Sequence, residues 1–187
     1  MTSVEFLGAP LDSDEVYNLS LVRACGAIVL GTKTRGFGTG KTVLPGGKEQ
    51  YYLSAGGVHL IPGSYGASRE LIQETGVPVP DACWKQVGNL YVLSPDDERQ
   101  IHLYEAKLPA KAVLQASGEL ANPTWIEEHE INYDDMPNDY RLWLPHILAG
   151  YTINAFFEID DDETIYGNIL GTRDDGQGSS FSLTVPE

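Results

Sequence analysis

Glycine and proline interrupt this chain so often that its regular elements must be short. Residues 31–40 carry four glycines, at 31, 36, 38 and 40. Residues 48–66 carry Gly56, Gly57, Pro62, Gly63 and Gly66. The first stretch reads as a loop or hairpin turn and the second as a surface excursion. Between the breaks, 21–30 is apolar enough for a buried strand, and 42–44 suits a short one. Residues 87–94 and 100–108 read as strands joined by a hairpin loop at 95–98, with Ile101 and Leu103 alternating with His102 and Tyr104. A further strand is expected at 112–115. Residues 152–159 alternate as a half-buried strand, and 164–170 pair back. Two segments have helical character. Residues 67–75 have Ser64 as a cap, Gly76 to end the helix and Pro78 to prevent continuation. Residues 139–149 place Tyr140, Leu144, Ile147 and Leu148 on one face, with Pro145 inside. The pattern is a mixed sheet with few helices, hence an α+β fold or an α/β sandwich.

The length of 187 residues suits one domain. We expect residues 1–18 as an N-terminal extension, 19–172 as the domain and 173–187 as a loose tail. Twelve Lys and Arg against 27 Asp and Glu give a net charge of −15. That balance excludes a nucleic-acid polymer or an anionic membrane as the expected partner, since both need a basic face. An acidic protein handles phosphates through a divalent cation. No apolar run approaches the roughly 20 residues of a membrane helix, and the N-terminus lacks the features of a signal peptide. Cys25 and Cys83 are too few for a disulfide framework, which points to the cytoplasm. His59, His102, His129 and His146 show no zinc-like spacing.

Within the first helix, Glu70 and Glu74 are four residues apart and share a face, with Gln73 beside them and Leu71 turned inward. Two carboxylates in one turn repel unless a cation lies between them. The pair is either a solvated acidic face or a set of oxygen ligands for a hard divalent cation such as Mg2+.

The run Pro45-Gly46-Gly47-Lys48, a loop, then Arg69-Glu70-Leu71, Glu74 and Gly76-Val77 resembles the Nudix box. The second half of the box matches well and departs at Gln73, where the family usually has Glu. Three more segments resemble the branch that hydrolyses oxidised purine nucleoside triphosphates of the 8-oxo-dGTP type. These are 31–48, the run 134–139 with Trp143-Leu144-Pro145, and 152–159. Other departures are the long spacing from Gly47 to Arg69, the absent loop Glu (Ser64 stands nearest), and Val43 where the branch has a purine-reading Asn. The stacking Trp is replaced by Met136 or Pro137. Gly56-Gly57 is a second candidate for the start of the box; Gly46-Gly47 keeps the register.

The resemblance implies a Nudix-like α/β/α sandwich, a mixed curved sheet flanked by helices. It implies Mg2+-dependent hydrolysis of nucleoside triphosphates to monophosphate and pyrophosphate, with Mn2+ as the alternative ion. An oxidised purine nucleotide such as 8-oxo-dGTP is the leading substrate. The alternatives are another nucleoside diphosphate derivative, or a nucleotide-binding module without turnover. The implied metal ligands are Glu70, Glu74, the Gly47 carbonyl and the neutral oxygen of Gln73. Arg69 orients the helix carboxylates. Glu119 is the further carboxylate, as base or ligand, with Glu127 and Glu128 behind it. Lys33 and Arg35 are placed to meet the phosphates. Phe37, Asn138 and Asp139 are the implied base contacts; Asn138 and Asp139 are equally suited to capping the second helix. The partner is a small-molecule nucleotide, and oligomeric state is not legible.

Overall fold

The computed structural model describes residues 16–36, 38–49, 51–54, 57–60, 63–95 and 97–185, with only the strand course given for 51–54 and 57–60. Among the described residues, twelve strands and two α-helices follow in chain order. They are β1 (Val16–Ala24), β2 (Ala27–Lys33), β3 (Thr42–Val43), β4 (Gly46–Lys48), β5 (Tyr51–Ser54), β6 (Gly57–Leu60) and α1 (Gly63–Thr75). Then come β7 (Trp84–Ser94), β8 (Asp97–Lys107), β9 (Leu120–Glu127), α2 (Tyr140–Leu148), β10 (Thr152–Ile159), β11 (Ile165–Arg173) and β12 (Ser179–Val185).

The main sheet runs β12-β11-β10-β7-β8-β1-β2-β3, with β4 also on β1 and β9 also on β2. It is mixed: β1 lies parallel to β8, and β10 parallel to β7, while the remaining pairs are antiparallel. Alternation along β1 divides its side chains between two layers. Leu21 packs with Ile28, Leu30, Trp143, Leu144 and Ile147 under α2. Val22 packs with Val29, Leu71, Val77 and Val79 under α1. A sheet sandwiched between two helices is the α/β/α arrangement expected from the sequence.

The apolar run 21–30 is not one strand. Cys25 and Gly26 take positive φ, 52° and 78°, and turn the chain back on itself between β1 and β2. The excursion 48–66 includes the β5–β6 hairpin, and helix α1 begins at Gly63, so Ser64 lies inside it rather than capping it. The strand expected at 112–115 is absent; the chain joins β2 further on, as β9. The expected loose tail is also corrected. Ser179–Val185 pairs with β11 along its length, because Phe181 has an aromatic cluster to enter: it stacks on His146 and meets Tyr151 edge-on. Of the expected N-terminal extension, residues 16–18 belong to β1 and 1–15 lie outside the described residues.

Candidate active site

Strand β4 brings Gly46 and Gly47 beneath α1, and the site is built on that contact. A Cβ on Gly47 would lie 2.6 Å from Glu70 Cδ and 2.8 Å from both Glu70 carboxylate oxygens. Only glycine allows the strand this close to the helix carboxylate. One turn on, Glu74 is buried at 2% exposure. Its Oε2 accepts from the Gly46 amide at 2.7 Å, and its Oε1 lies 3.1 Å from Lys33 Nζ. Lys33 also reaches the Gly46 carbonyl at 3.5 Å. Glu70 pairs with Arg69, whose Nη2 also donates to the Lys48 carbonyl at 3.3 Å. Arg69 thus ties the helix to the strand and contacts the Glu70 carboxylate.

Burial pushes both carboxyls above their ordinary range. Arg69 opposes this at Glu70, while Lys33 and the Gly46 amide oppose it at Glu74. Each carboxylate also feels the negative charge of Glu119. Glu119 begins the approach to β9 and pairs with Arg35.

Two cavities meet here. The first, about 360 Å3, is lined by Glu70, Gln73, Glu74, Ser117 and Glu119 with Arg35. The second, about 410 Å3, is mostly apolar, with Leu19, Val43, Leu44, Val92, Ile101 and Ile159 in its wall. Arg35 and Glu119 line both. A polar, acidic chamber therefore adjoins an apolar one within the roughly 300–1,000 Å3 range of small-molecule sites.

The acidic chamber suits a hard divalent cation by the chemistry of its donors: oxygen atoms from three carboxylates and one amide, in partly desolvated surroundings. Among the described residues no ready-made cage of three His, Cys, Asp or Glu side chains exists. Glu70 and Glu74 are held by Arg69 and Lys33. An open arrangement of this kind leaves coordination positions for water and phosphate, which Mg2+ prefers.

Of the residues expected at the base, Asp139 lines the apolar cavity and is buried, accepting from the Trp143 indole at 2.8 Å. It makes no side-chain cap. Burial raises its carboxyl well above the usual range, against Trp143 and Arg99. Asn138 is not brought to either cavity. It is exposed, and its amide donates to Glu163 Oε2 at 3.3 Å. Successive residues at the entrance of α2 point in different directions, and Asp139 takes the inward one. Phe37 lies outside the described residues. Lys33 lines the apolar cavity at its acidic end. Met136 is wholly buried in the core, whereas Pro137 lines the cavity. Glu127 and Glu128 are engaged elsewhere, with Lys111 at 2.5 Å and Arg23 at 2.8 Å.

The sequence reading missed Arg99, which lines the apolar cavity at 7% exposure. The signal was present: extending the alternation of Ile101 and Leu103 back by two residues puts Arg99 on the same face.

No family model matches the chain. Two curated relatives are similar to it, each described as an oxidized purine nucleoside triphosphate hydrolase. The one from Mus musculus is 29% identical over 158 residues, covering 83% of this chain and 93% of the relative. The one from Danio rerio is 27% identical over 165 residues, covering 87% and 98%. In fold, the chain is similar to a mutator MutT protein from Bacillus halodurans, with a TM-score of 0.64 and 18% identity over 92% of this chain and 99% of that one.

Proposed function

We propose that this chain, which has the Nudix fold and resembles the Nudix hydrolases of the oxidised-purine branch, hydrolyses a purine nucleoside triphosphate to the monophosphate and pyrophosphate with Mg2+. The observation that carries the reading is the junction of two chambers at Arg35 and Glu119, one acidic and one apolar. A nucleoside triphosphate has the same division: an apolar, stackable base at one end and a polyanion at the other.

Glu70, Glu74 and the Gly47 carbonyl would hold the metal, with Gln73 offering one neutral oxygen. The bound ion supplies charge stabilisation for the phosphoryl oxygens as water attacks phosphorus. This chain's residues do the rest. Lys33 and Arg35 meet the phosphates at the junction of the chambers. Arg69 holds Glu70 in place. Glu119, at the mouth of both chambers, accepts the proton of the attacking water. The wall of the second chamber excludes water from the base, and Asp139 hydrogen-bonds the base edge. An oxidised purine is the leading substrate, supported by the names of the two curated relatives. Exposed thiols at Cys25 and Cys83 suit a reducing compartment, the cytoplasm; among the described residues no helix is long and apolar enough to cross a membrane.

The test is pyrophosphate release from normal and oxidised nucleoside triphosphates, with Mg2+ and with chelator, for the wild type and Glu74→Gln. Chelator-sensitive turnover lost in the variant supports the hydrolase. A folded protein that binds nucleotides without turning any over supports the binding-module alternative, to which neutral Gln73 lends weight. Turnover confined to nucleotide sugars or dinucleotides would move the substrate and keep the chemistry.

A further inference from the structure

We propose that Lys33 is the exchange residue of the acidic chamber: its ammonium and a divalent cation hold Glu74 in turn, and the ammonium that gives way is left for a phosphate. The inference rests on the metal and nucleotide reading of the site and deepens it to an order of events, cation first and phosphate second. Each carboxylate of the chamber has its own basic partner, Arg69 for Glu70, Lys33 for Glu74 and Arg35 for Glu119. Glu74 is the most enclosed of the three. Its side chain is 2% exposed, against 12% for Glu70 and 44% for Glu119. Its Oε2 accepts the Gly46 amide at 2.7 Å, and its Oε1 faces Lys33 Nζ at 3.1 Å. A cation that binds Glu74 therefore takes the place of one of these two donors. Gly46 belongs to β4 and pairs with Leu19 of β1, so its amide stays. Lys33 is the one that can leave.

The setting of Lys33 fits it for that part. Its amide donates to the Lys41 carbonyl at 2.9 Å and its carbonyl accepts the Gly40 amide at 2.8 Å, so the ammonium swings on a fixed base. Its second contact, with the Gly46 carbonyl at 3.5 Å, is too long to hold it strongly. It also lines the apolar cavity, where Arg35 and Glu119 join the two chambers, so the ammonium has space to enter when it leaves Glu74. A lysine is a point charge on a flexible stem, and its three donors turn readily to new acceptors. Arg69 is the contrast: it has a second anchor on the Lys48 carbonyl and lines neither cavity. An ammonium beside a divalent cation in partly desolvated surroundings is repelled, whereas a phosphate attracts it. The exchange links the two ligands, since whatever the cation does for phosphate affinity, phosphate does for cation affinity.

The readout is the rate at which Lys33 is acetylated by an N-hydroxysuccinimide ester, followed by peptide mass spectrometry with the exposed Lys85 as internal reference. In saturating Mg2+ the wild type is expected to label at Lys33 at least about 10-fold faster than in chelator. A permanent ion pair gives the opposite sign, because Mg2+ stabilises the native state and slows its opening. Saturating dGMP added to the Mg2+ sample is expected to return Lys33 to slow labelling. Glu74→Gln should label fast with and without Mg2+. Lys33→Met should bind Mg2+ about 10-fold more tightly by calorimetry, since the rival charge is gone. If either variant does not fold, the wild-type labelling decides the matter. Mg2+ binding that leaves Lys33 labelling unchanged or slower would overturn the proposal, and so would labelling that stays fast at saturating dGMP. No Mg2+ binding at all would remove the metal reading and the exchange with it. Release of Lys33 by Mg2+ without turnover of any nucleotide would keep the exchange and remove the hydrolase. Turnover in Mg2+ with Lys33 unmoved would do the reverse.

Discussion

Lys33 Nζ lies 3.1 Å from Glu74 Oε1, and the carboxylate's other oxygen accepts the Gly46 amide. An ammonium thus stands where a cation is needed to offset a buried carboxylate. Lys33→Met leaves that charge uncompensated. We expect the metal-free variant to lose about 1–3 kcal/mol of stability. Because an ion that binds only the native state stabilises it by mass action, Mg2+ should recover part of the deficit. Thermal melts with Mg2+ and with chelator check this. A variant whose melting temperature equals the wild type's in chelator would show that Lys33 is not the counterion of Glu74.

Gly47 gives a second handle on the same carboxylates. A methyl group there would press on Glu70, whose carboxyl carbon would be 2.6 Å away. The carboxylate is the far end of a side chain and can yield, so Gly47→Ala should fold, at a cost of about 1–3 kcal/mol. The displaced Glu70 should weaken Mg2+ binding by about 10-fold or more, given how steeply affinity and activity depend on ligand placement. Titration of turnover against Mg2+ measures it. An unchanged Mg2+ dependence in the folded variant would remove Glu70 from the ligand set.

Asp139 gives a pH prediction with a definite sign. Burial raises its carboxyl in the folded protein, and Trp143 and Arg99 only partly oppose this. The folded state therefore binds this proton more tightly than the unfolded chain does. Between the unfolded value, near 4, and the raised folded value, that difference lowers stability as pH increases. Asp139→Asn removes the contribution. The melting temperature of the variant minus that of the wild type should become more positive as pH rises from about 4, then level off above the folded value. A difference that falls with pH would mean that the carboxylate is stabilised in place, with Arg99 as its partner.

The helix carrying Glu70 and Glu74 was legible because its information is local: spacing puts both carboxylates on one face, and Gly76 and Pro78 end it. The same holds for α2, where Tyr140, Leu144 and Ile147 are buried as expected and Trp143 joins them. What was not legible depends on distant partners. The turn at Cys25-Gly26 is hidden in an apolar run, since both strands beside it are buried. Arg99 reads as an ordinary charged residue near a hairpin until the fold sets it in the wall of the same cavity as Val43 and Asp139. Asn138 and Asp139 are neighbours with the same two candidate roles, and only the path into α2 separates the inward residue from the outward one.

The C-terminal strand is the largest departure from expectation, and Phe181 explains it. Phe181 pairs with Gly171 across the β11–β12 ladder, and a Cβ on Gly171 would fall within 2.0 Å of the ring. The ring therefore lies on the bare glycine backbone, stacked on His146 at 4.3 Å between centroids and edge-on to Tyr151 at 5.0 Å. The alternating serines around it supply no such contact. Because the ring is only partly buried, Phe181→Ala should cost about 1–3 kcal/mol, below the value for a full core truncation. For a chain of this size that is a melting-temperature drop of about 2–10 °C. Neither Gly171 nor Phe181 lines the two cavities, so kcat/KM should stay within about 2-fold, as expected for sites without shared partners. An unchanged melting temperature would show that ladder hydrogen bonds alone hold the strand, and a large loss of activity at full stability would tie this edge to the site.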